Sequence, residues 1–370
     1  MTPLDRDRLT EALALAEGSY GLTEPNPRVG CVIGTAEGLV FGRGATQQAG
    51  GPHAEVMALR AAQSAGHALR GAAVWVTLEP CAHHGRTPPC CDALIAAGVA
   101  RVVVAVADPY RQVDGAGIAR LRAAGIQVEM ADADIAAAAR DINIGFFSRV
   151  QRGRPWVRLK IAASLDGRTA LDNGTSQWIT GVEARHDGHA WRRRAGAVLT
   201  GIGTALADDP RLDVRLVPSA RQPLRVVVDS RFRLPLAARL LQPPGAVVIC
   251  GAVDAAERRT ALEAHGAETL LLAASGGRVD LQALMAVLAQ RGVNELHVEA
   301  GAVLNAALLA SGLADELLVY LAPMLIGSGR GMAALGPLQQ LADARRFVFK
   351  EWRMIGSDMR LRALAETPLT

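Results

Sequence analysis

The sequence is poor in aromatic residues, has almost no lysine and contains no long apolar run. Aromatic residues make up 4% of the chain, and Lys160 and Lys350 are the only lysines among its 40 basic residues. No block of five or more basic residues occurs, so nothing indicates a tail that binds nucleic acid. No run of 18 apolar residues occurs, and the first 20 residues lack a signal-peptide pattern. We therefore expect a cytoplasmic protein that binds neither nucleic acid nor membrane.

Cysteine is also scarce, and its distribution is uneven. Five cysteines in 370 residues do not make a disulfide framework. Three of them, Cys81, Cys90 and Cys91, lie within eleven positions that also contain two histidines. Such crowding indicates metal chemistry in a reducing compartment.

One histidine and two cysteines have the spacing of a zinc site that performs chemistry. His53, Cys81 and Cys90 offer one imidazole and two thiols, and three protein ligands leave the fourth tetrahedral position open for water. Glu55 follows the histidine by two residues and can move the protons of that water. A His-x-Glu followed by Pro-Cys and a second Cys is typical of zinc deaminases. Here, however, the second cysteine comes nine residues after the first instead of three.

Other ligand sets stay open at this stage. Cys91, His83 or His84 can replace one of the three ligands, although Cys91 would project about 100° away from Cys90 on a helix. That direction favours a packing role for Cys91. A purely structural zinc site is the remaining alternative, but it normally uses four ligands and has no use for Glu55.

The length and the composition predict two α/β domains. A chain of 370 residues exceeds one typical domain, and the arginine-rich stretch 148–155 is interpreted as a solvated linker. We therefore place the domains at 1–148 and 149–370. In the first, helices are expected at 3–18, 53–65, 90–97, 118–123 and 133–141, and strands at 28–33, 39–42, 73–78, 101–106 and 127–130. In the second, strands are expected at 157–162, 198–200, 225–229, 246–250, 295–299, 316–322, 347–354 and 359–364.

The second half has weak signals for a nucleotide. It lacks Gly-x-Gly-x-x-Gly, but short glycine turns follow apolar strands at 201–204, 299–301 and 327–329, where backbone N–H groups can cradle phosphates. Arg231 and Arg233 follow the strand at 225–229. An arginine there can hold a 2′-phosphate, which favours NADP over NAD.

Several motifs together resemble the bifunctional deaminase/reductase family of riboflavin biosynthesis. They are TEPNPRVGC at 23–31, HAE at 53–55, EPCAHHGRTPPC at 79–90, KIAASLD at 160–166, SQWIT at 176–180, TGIGTALADDP at 200–210 and VEAG at 298–301. The resemblance covers nearly the whole chain. It implies a cytidine-deaminase-like three-layer α/β/α domain followed by a dihydrofolate-reductase-like α/β domain.

The resemblance also implies a substrate for the first domain. Zinc held by His53, Cys81 and Cys90, with Glu55 as proton donor, would remove an amino group from 2,5-diamino-6-(5-phosphoribosylamino)pyrimidin-4(3H)-one. Asn26 would contact the base and Arg86 the phosphate. The chain departs from the family at Thr46, where a histidine is common.

For the second domain the resemblance implies NADPH reduction of the ribosyl side chain to 5-amino-6-(5-phosphoribitylamino)uracil. Lys160 would assist hydride delivery to C1′ or form an ion pair. The expected cofactor contacts are Ala162, Trp178, Thr204, Asp208, Ser230, Gly301, Ala302 and Val303. The expected substrate contacts are Ser176, Arg192, Leu212, Arg215 and Glu299. We also expect a homo-oligomer.

A second hypothesis keeps the zinc deaminase but assigns it a different substrate and a different second domain. In this alternative the first domain deaminates a nucleic-acid base or a nucleoside, and the second is an unrelated NADP-binding domain. It predicts aromatic residues for base stacking and a basic arm, and the sequence is poor in both.

Overall fold

The computed structural model describes residues 1–82, 88–110 and 115–366 and divides into two compact units. The first unit is Met1–Gly153 and the second is Arg154–Thr370. Within the described ranges, no helix has the length and apolar character needed to cross a membrane. The Arg86 contact expected from the sequence, and the alternative ligands His83 and His84, lie outside the described residues.

The first unit alternates helices and strands along the chain. Its elements are α1 (Pro3–Gly18), β1 (Gly30–Gly34), β2 (Val40–Ala45), α2 (Ala54–Ser64), β3 (Ala73–Val76), α3 (Cys90–Ala97), β4 (Arg101–Val104), α4 (Ala116–Ala123), β5 (Gln127–Met130), α5 (Ala133–Ile142) and α6 (Ile144–Arg152). Thr2 caps α1 with a capping box completed by Asp5, and Pro3 begins the helix. This start follows from the local sequence, because Thr at the N-cap, Pro at the first position and an acid at the third are all favourable there.

The sheet of the first unit has the order β2-β1-β3-β4-β5, with β1 antiparallel to both neighbours and β3, β4 and β5 parallel. Neighbouring residues of a strand face opposite sides of a sheet. Gly30 meets the backbone of α1, whereas Gly44, which pairs with the next residue Cys31, meets the backbone of α2. Helices therefore cover both faces, which confirms the three-layer arrangement expected from the sequence.

The sequence predicted a solvated linker at residues 148–155, and this prediction is wrong for residues 148–152. Residues Ile144–Arg152 form α6, which ends at a left-handed Gly153, and Ser148 is fully buried. Arg149 and Arg152 lie in the last helical turn, where cations are favourable beside the negative end of the helix dipole. Positive charge alone suggested solvent exposure, but here it stabilises a helix end.

The second unit is built around a larger sheet. Its elements are β6 (Trp156–Ser164), β7 (Arg168–Ala170), α7 (Val182–Arg194), β8 (Ala197–Gly201), α8 (Ile202–Asp208), β9 (Leu224–Val228), β10 (Val247–Gly251), α9 (Ala256–Ala264), β11 (Ala267–Leu271), α10 (Leu281–Gln290), β12 (Glu295–Val298), α11 (Ala302–Ala310), β13 (Glu316–Ala322), β14 (Arg330–Gly331), β15 (Phe347–Ile355) and β16 (Asp358–Ala365). Short 3₁₀ turns occur at Arg239–Leu241, Ser275–Gly277 and Leu341–Asp343.

Nine strands form the main sheet of the second unit, in the order β11-β10-β9-β8-β12-β6-β13-β16-β15. The strands from β11 to β13 are parallel, and β16 and β15 add an antiparallel end. Val226 and Val227 on β9 belong to separate apolar clusters, so both faces of the sheet are covered. Strands β7 and β14 form a small separate ribbon.

A buried ion network lies between α7 and the main sheet. The guanidinium of Arg158 is fully buried, 2.8 Å from Glu295 and 2.9 Å from Glu316. Arg194 pairs with Glu295 and Arg362 pairs with Glu316, at 2.8 and 2.7 Å. Arg158, Arg194, Arg360 and Arg362 all lie over the ring of Trp191, at 4.4 to 5.4 Å from its centroid. Planar guanidinium groups can stack on an indole in this way.

Candidate zinc and reductase sites

Three elements of the first unit deliver the candidate zinc ligands. His53 is the N-cap of α2, with extended backbone angles and no side-chain capping bond. Cys81 follows β3, and Cys90 is the first residue of α3. Regular helix geometry would turn His53 and Glu55 to different faces. Because His53 precedes the first helical residue, that restriction does not apply to it.

The donor atoms of these residues lie close enough to share one ion. The Nδ1 atom of His53 is 3.6 Å from Cys81 Sγ and 3.3 Å from Cys90 Sγ, and the three atoms lie within 4.8 Å of one another. Ligands held about 2.0–2.3 Å from a tetrahedral zinc are about 3.6 Å apart. The donor set therefore fits zinc, and the described residues supply three of its four tetrahedral ligands.

Hydrogen bonding shifts the pKa values of the two thiols in opposite directions. Hydrogen bonding with Cys90, followed by that with His53, lowers the pKa of the Cys81 thiol to about 4, although burial acts against it. The same interaction with Cys81 raises the pKa of Cys90. The backbone N–H of Cys90 donates to Cys81 Sγ at 3.3 Å. A thiolate is therefore already favoured at Cys81, which is the form that binds a metal.

Glu55 lies in the first turn of α2 with only 3% of its surface exposed. Burial, followed by the negative charge of Cys81, raises the pKa of the Glu55 carboxyl to about 7. A group with a pKa near the working pH both accepts and releases protons readily. The environment of Glu55 is thus suited to proton transfer beside the three ligands.

Cys91 does not belong to the ligand cluster found among the described residues. It is fully buried, and its backbone N–H donates to the carbonyl of Cys81 at 3.2 Å. Burial raises the pKa of its thiol to about 11, so it stays protonated. The structure therefore favours the packing role over the ligand role.

Of the two loop residues discussed with the deaminase motif, Asn26 precedes β1 and Thr46 follows β2. Asn26 is partly exposed, and its N–H closes a turn to the carbonyl of Thr23 at 2.9 Å. Thr46 is buried; its hydroxyl accepts from the N–H of Val29 at 3.2 Å and its own N–H donates to the Val29 carbonyl at 2.9 Å. Thr46 therefore serves to hold the backbone at the start of β1.

In the second unit, Glu299 brings two of the predicted residues together. Both Nε and Nη2 of Arg192 donate to its carboxylate, the latter at 3.0 Å, and Lys160 Nζ lies 4.0 Å away. Burial opposes ionisation of Glu299, but the positive charge of Arg192 dominates and holds the pKa of Glu299 well below its usual range. Burial lowers the pKa of Lys160. The result is a partly buried carboxylate flanked by two cations.

Arg215 belongs to a neighbouring group that includes two residues the sequence did not indicate. Its guanidinium donates to Asp213 at 2.6 Å, and its backbone N–H donates to His189 Nδ1 at 3.2 Å. Burial and then the charge of Arg192 lower the pKa of His189 to about 4, so this ring is neutral. Leu212 is buried at a left-handed φ of 53°, which is unusual for a leucine. No motif spacing predicts these contacts, because they form across α7 and a distant loop.

Several expected cofactor contacts lie at the carboxyl ends of adjacent parallel strands. Thr204 belongs to α8 after β8, Ser230 follows β9, and Gly301 follows β12 as the N-cap of α11. The N-cap of α11 makes no side-chain hydrogen bond to the first turn, where Ala302 and Val303 lie. Such an N-terminus favours an anion such as a phosphate. A Cβ at Gly301 would lie only 3.4 Å from the Thr204 hydroxyl, so the two turns approach closely.

The remaining expected contacts are more dispersed. Ala162 lies on β6 and Asp208 ends α8. Ser176 and Trp178 lie between β7 and α7, and the Trp178 ring is 66% exposed with Arg185 at 4.5 Å from its centroid. Arg231 and Arg233 are exposed in the turn after β9. These positions leave the side chains accessible to a ligand.

The glycine turn at 327–329 is not an open phosphate cradle. The N–H groups of Ile326 and Gly327 donate to the carboxylate of Asp166 at 3.1 and 2.7 Å. The hydrogen bond from the Ser164 hydroxyl, followed by these two backbone bonds, lowers the pKa of Asp166 to about 2. The chain's own carboxylate thus occupies the place that the sequence suggested for a phosphate.

Two family models match the chain and together span most of it. Residues 4–106 match the cytidine and deoxycytidylate deaminase zinc-binding region, and residues 155–361 match the RibD C-terminal domain. The first match contains all three candidate zinc ligands and Glu55. The second contains Lys160, Arg192 and Glu299.

Whole-chain relatives and solved structures give the same result. The riboflavin biosynthesis protein RibD of Escherichia coli K12 is 46% identical over 368 residues, covering 96% of this chain and 98% of the relative. RibD of Aquifex aeolicus is 38% identical over 356 residues, with coverage of 96% and 97%. A structure of Acinetobacter baumannii RibD aligns with a TM-score of 0.88 at 41% identity, covering 98% of this chain and 99% of the other. A Thermotoga maritima diaminohydroxyphosphoribosylaminopyrimidine deaminase/5-amino-6-(5-phosphoribosylamino)uracil reductase aligns with a TM-score of 0.87 at 30% identity, with the same coverage.

Proposed function

Because the chain belongs to the RibD family and carries a zinc-dependent deaminase and an NADPH-dependent reductase of riboflavin biosynthesis, we propose the substrate and the residues of each step. The first unit hydrolyses the 2-amino group from 2,5-diamino-6-(5-phosphoribosylamino)pyrimidin-4(3H)-one. The second reduces the ribosyl side chain of that product to give 5-amino-6-(5-phosphoribitylamino)uracil. The name of the Thermotoga relative, which specifies both reactions, supports this order.

The deaminase site consists of His53, Cys81 and Cys90 as zinc ligands and Glu55 as the proton carrier. Zinc supplies the Lewis acidity that makes water a nucleophile near neutral pH. Glu55 takes a proton from that water and returns it to the amine as ammonia departs. The observation that carries this assignment is a buried carboxyl with a pKa of about 7, in the helical turn that follows one of three clustered zinc donors.

Glu55→Gln tests the deaminase assignment, because it keeps the shape of the side chain and removes its acid–base function. We expect zinc to remain bound in equal amount, while ammonia release falls by about 10²–10⁴-fold. NADPH oxidation with the already deaminated substrate should not change, which shows that the chain is folded. Wild-type protein treated with a zinc chelator should lose ammonia release and keep NADPH oxidation. Normal deamination by Glu55→Gln would refute the assignment.

In the reductase site the two substrate arginines have different roles. Three contacts of Arg192, two to Glu299 and one to the Asp213 carbonyl at 2.9 Å, hold it within the protein. Arg215 makes one carboxylate contact, and 46% of its side chain is exposed, so it is the better phosphate ligand. NADPH supplies the hydride. Lys160, next to Glu299, stabilises the charge that develops near the ribosyl C1′.

Steady-state kinetics with the deaminated substrate separate these roles. Arg215→Ala should raise KM with little change in kcat, because it removes binding that is equal in the ground and transition states. Lys160→Met should lower kcat. A wild-type protein that oxidises no NADPH with this substrate would contradict the reductase assignment.

We further propose a homo-oligomer in the cytoplasm. Strand β15 is the edge of the nine-stranded sheet, and its exposed side chains include Phe349 and Trp352. An exposed apolar edge favours pairing with another copy. The free cysteines suit a reducing compartment. Light scattering on the purified protein tests the oligomer, and a monomer at micromolar concentration would contradict it.

A further inference from the structure

Glu79 is a buried carboxylate two residues before the zinc ligand Cys81. It follows β3 and is 3% exposed. Its two oxygens accept four backbone N–H groups. These are Gly117 at 2.9 Å and Ile118 at 3.2 Å on one oxygen, and Asp108 and Gly115 at 3.2 Å each on the other. The side-chain oxygens of Glu79 thus accept backbone N–H groups from four positions among the described residues.

These four donors come from two separate pieces of chain. Asp108 lies in the segment after β4, and Gly115, Gly117 and Ile118 form the start of α4. The backbone N–H of Glu79 also donates to the carbonyl of Val106 at 3.0 Å. A single side chain therefore fastens the exit of β3 to the exit of β4 and to the first turn of α4.

The packing around this carboxylate leaves no room for adjustment. A Cβ at Gly117 would lie 2.0 Å from the carbonyl oxygen of Pro80 and 3.2 Å from Glu79 Oε1. Only glycine permits α4 to approach the 79–81 backbone so closely. The position of that backbone is consequently set by α4 from one side and by β4 from the other.

The same backbone sets the geometry of both thiol ligands. Cys81 Sγ accepts the N–H of Cys90, and the Cys81 carbonyl accepts the N–H of Cys91. A shift of residues 79–81 would therefore move Cys81 directly and the start of α3 through these two bonds. Groups that orient metal ligands typically change metal affinity or activity by about 10–100-fold when they are replaced.

We propose that Glu79 is a positioning residue of the deaminase: its carboxylate fixes the Pro80–Cys81 backbone, and thereby both thiol ligands, in the geometry that binds zinc. This inference rests on the proposed zinc function. A purely stabilising role is the competing explanation. Glu79→Gln distinguishes them, because the glutamine amide retains one acceptor oxygen and turns an NH₂ group toward two backbone N–H donors.

The test uses the full chain and compares Glu79→Gln with Asp5→Asn. Asp5 is also a fully buried carboxylate of the first unit, and it accepts hydrogen bonds from Trp75 Nε1 at 2.8 Å and from Arg101. Arg101 lies at the start of strand β4, whereas Cys81 follows the carboxyl end of strand β3. Both variants lose one buried charge in the same unit. Zinc dissociation constants are measured by chelator competition, followed by ammonia release at saturating zinc and NADPH oxidation with deaminated substrate.

We expect Glu79→Gln to weaken zinc binding by about 10–100-fold and to lower deaminase kcat at saturating zinc by at least about tenfold. NADPH oxidation should not change. Asp5→Asn should lower the melting temperature and leave zinc affinity and deaminase kcat as in the wild type. A Glu79→Gln protein that loses thermal stability alone, as Asp5→Asn does, would overturn the proposal. So would a parallel loss of both activities. If the wild type itself bound no zinc, the proposed function would fail instead.

Discussion

Replacing Gly44 by alanine is expected to impair deamination without touching any catalytic residue. Gly44 lies on β2 under α2, and a Cβ there would lie 2.1 Å from the Ala54 carbonyl oxygen and 2.5 Å from the Ala58 nitrogen. Both atoms belong to the backbone of α2, so no side chain can rotate away. His53 and Glu55 occupy the start of the same helix.

The expected loss of deaminase activity follows from the distance between the added Cβ and the backbone of α2. An ordinary Cβ contact begins at 3.4 Å, so the helix must retreat from 2.1 Å by about 1.3 Å. Overpacking of this kind costs about 1–3 kcal/mol. A displacement of about 1 Å at a reacting group can cost about 10²-fold in rate. We therefore expect deaminase kcat to fall by about two orders of magnitude and zinc affinity to fall with it.

Gly18→Ala is the matched control in the same unit. Gly18 ends α1, and nothing lies within 4 Å of a Cβ placed there. Alanine in a helix is favoured over glycine by about 0.5–1 kcal/mol, so this variant should keep both activities and gain slightly in stability. The assay follows ammonia release, zinc content and NADPH oxidation for both variants. If Gly44→Ala kept wild-type deamination and zinc content, the close approach of α2 to β2 would not govern the site.

Two further predictions concern carboxylates that accept hydrogen bonds from an arginine. Hydrogen bonds from Arg101 hold the pKa of Asp5 well below its usual value, so its stabilising contribution is complete above about pH 3.9 and is lost as the pH falls below that value. The urea midpoints of the wild type and Asp5→Asn should therefore differ by a constant amount from pH 7 down to about pH 4 and should converge only as the pH falls further, whereas a difference that already shrinks above about pH 4, or that never shrinks, would contradict this. Glu299→Gln leaves Arg192 and Lys160 without their shared, partly buried carboxylate, and losing hydrogen bonds to a charged group costs about 1.5–3 kcal/mol. It should lower the urea midpoint and NADPH oxidation but not ammonia release; an unchanged midpoint would show that the pair contributes little.

Local sequence signals predicted the elements that are determined locally. Thr2, Pro3 and Asp5 predicted the start of α1, and the structure has the helix at Pro3–Gly18. The expected helix at 90–97 and the strands at 127–130 and 316–322 are found with those bounds. The helix at 90–97 is preceded by two prolines, the strand at 316–322 contains an apolar run, and the strand at 127–130 alternates polar and apolar residues, so each has a local signal.

Elements that depend on distant partners were missed. Strand β11 has the pattern AETLL, with a polar pair in a short segment, and it is a strand because it pairs with β10 at the sheet edge. The short strands β7 and β14 exist only as partners of each other. The helix α6 was missed because its arginines suggested solvent, whereas its buried side, which includes Ser148, packs inward.

The site residues likewise divide into those that the sequence predicted and those that only the fold brings together. Spacing alone brought His53, Cys81, Cys90 and Glu55 together, because a motif of one family fixes them within a short stretch. The partners of Glu79 are backbone N–H groups, which every residue type except proline carries, so no residue pattern reveals them. His189 is adjacent to Arg215 only in the folded chain. The part that Asp166 plays at the Gly327 turn could not be predicted, because the two residues are 161 positions apart in sequence.

The ion network around Trp191 restricts the order in which the sequence of the second unit can change. Removing Arg158 alone takes one of two arginine partners from each of the buried carboxylates Glu295 and Glu316, although replacing a whole buried ion set by apolar residues of similar volume is often neutral. Single substitutions in the network are therefore expected to destabilise the protein, whereas substituting all its members together can be neutral. Lysine cannot replace Arg158 as an intermediate step, because an ammonium group cannot stack flat on the indole and bind two carboxylates at the same time. For anyone redesigning this domain, these side chains form one mutational unit that must be exchanged together or left alone.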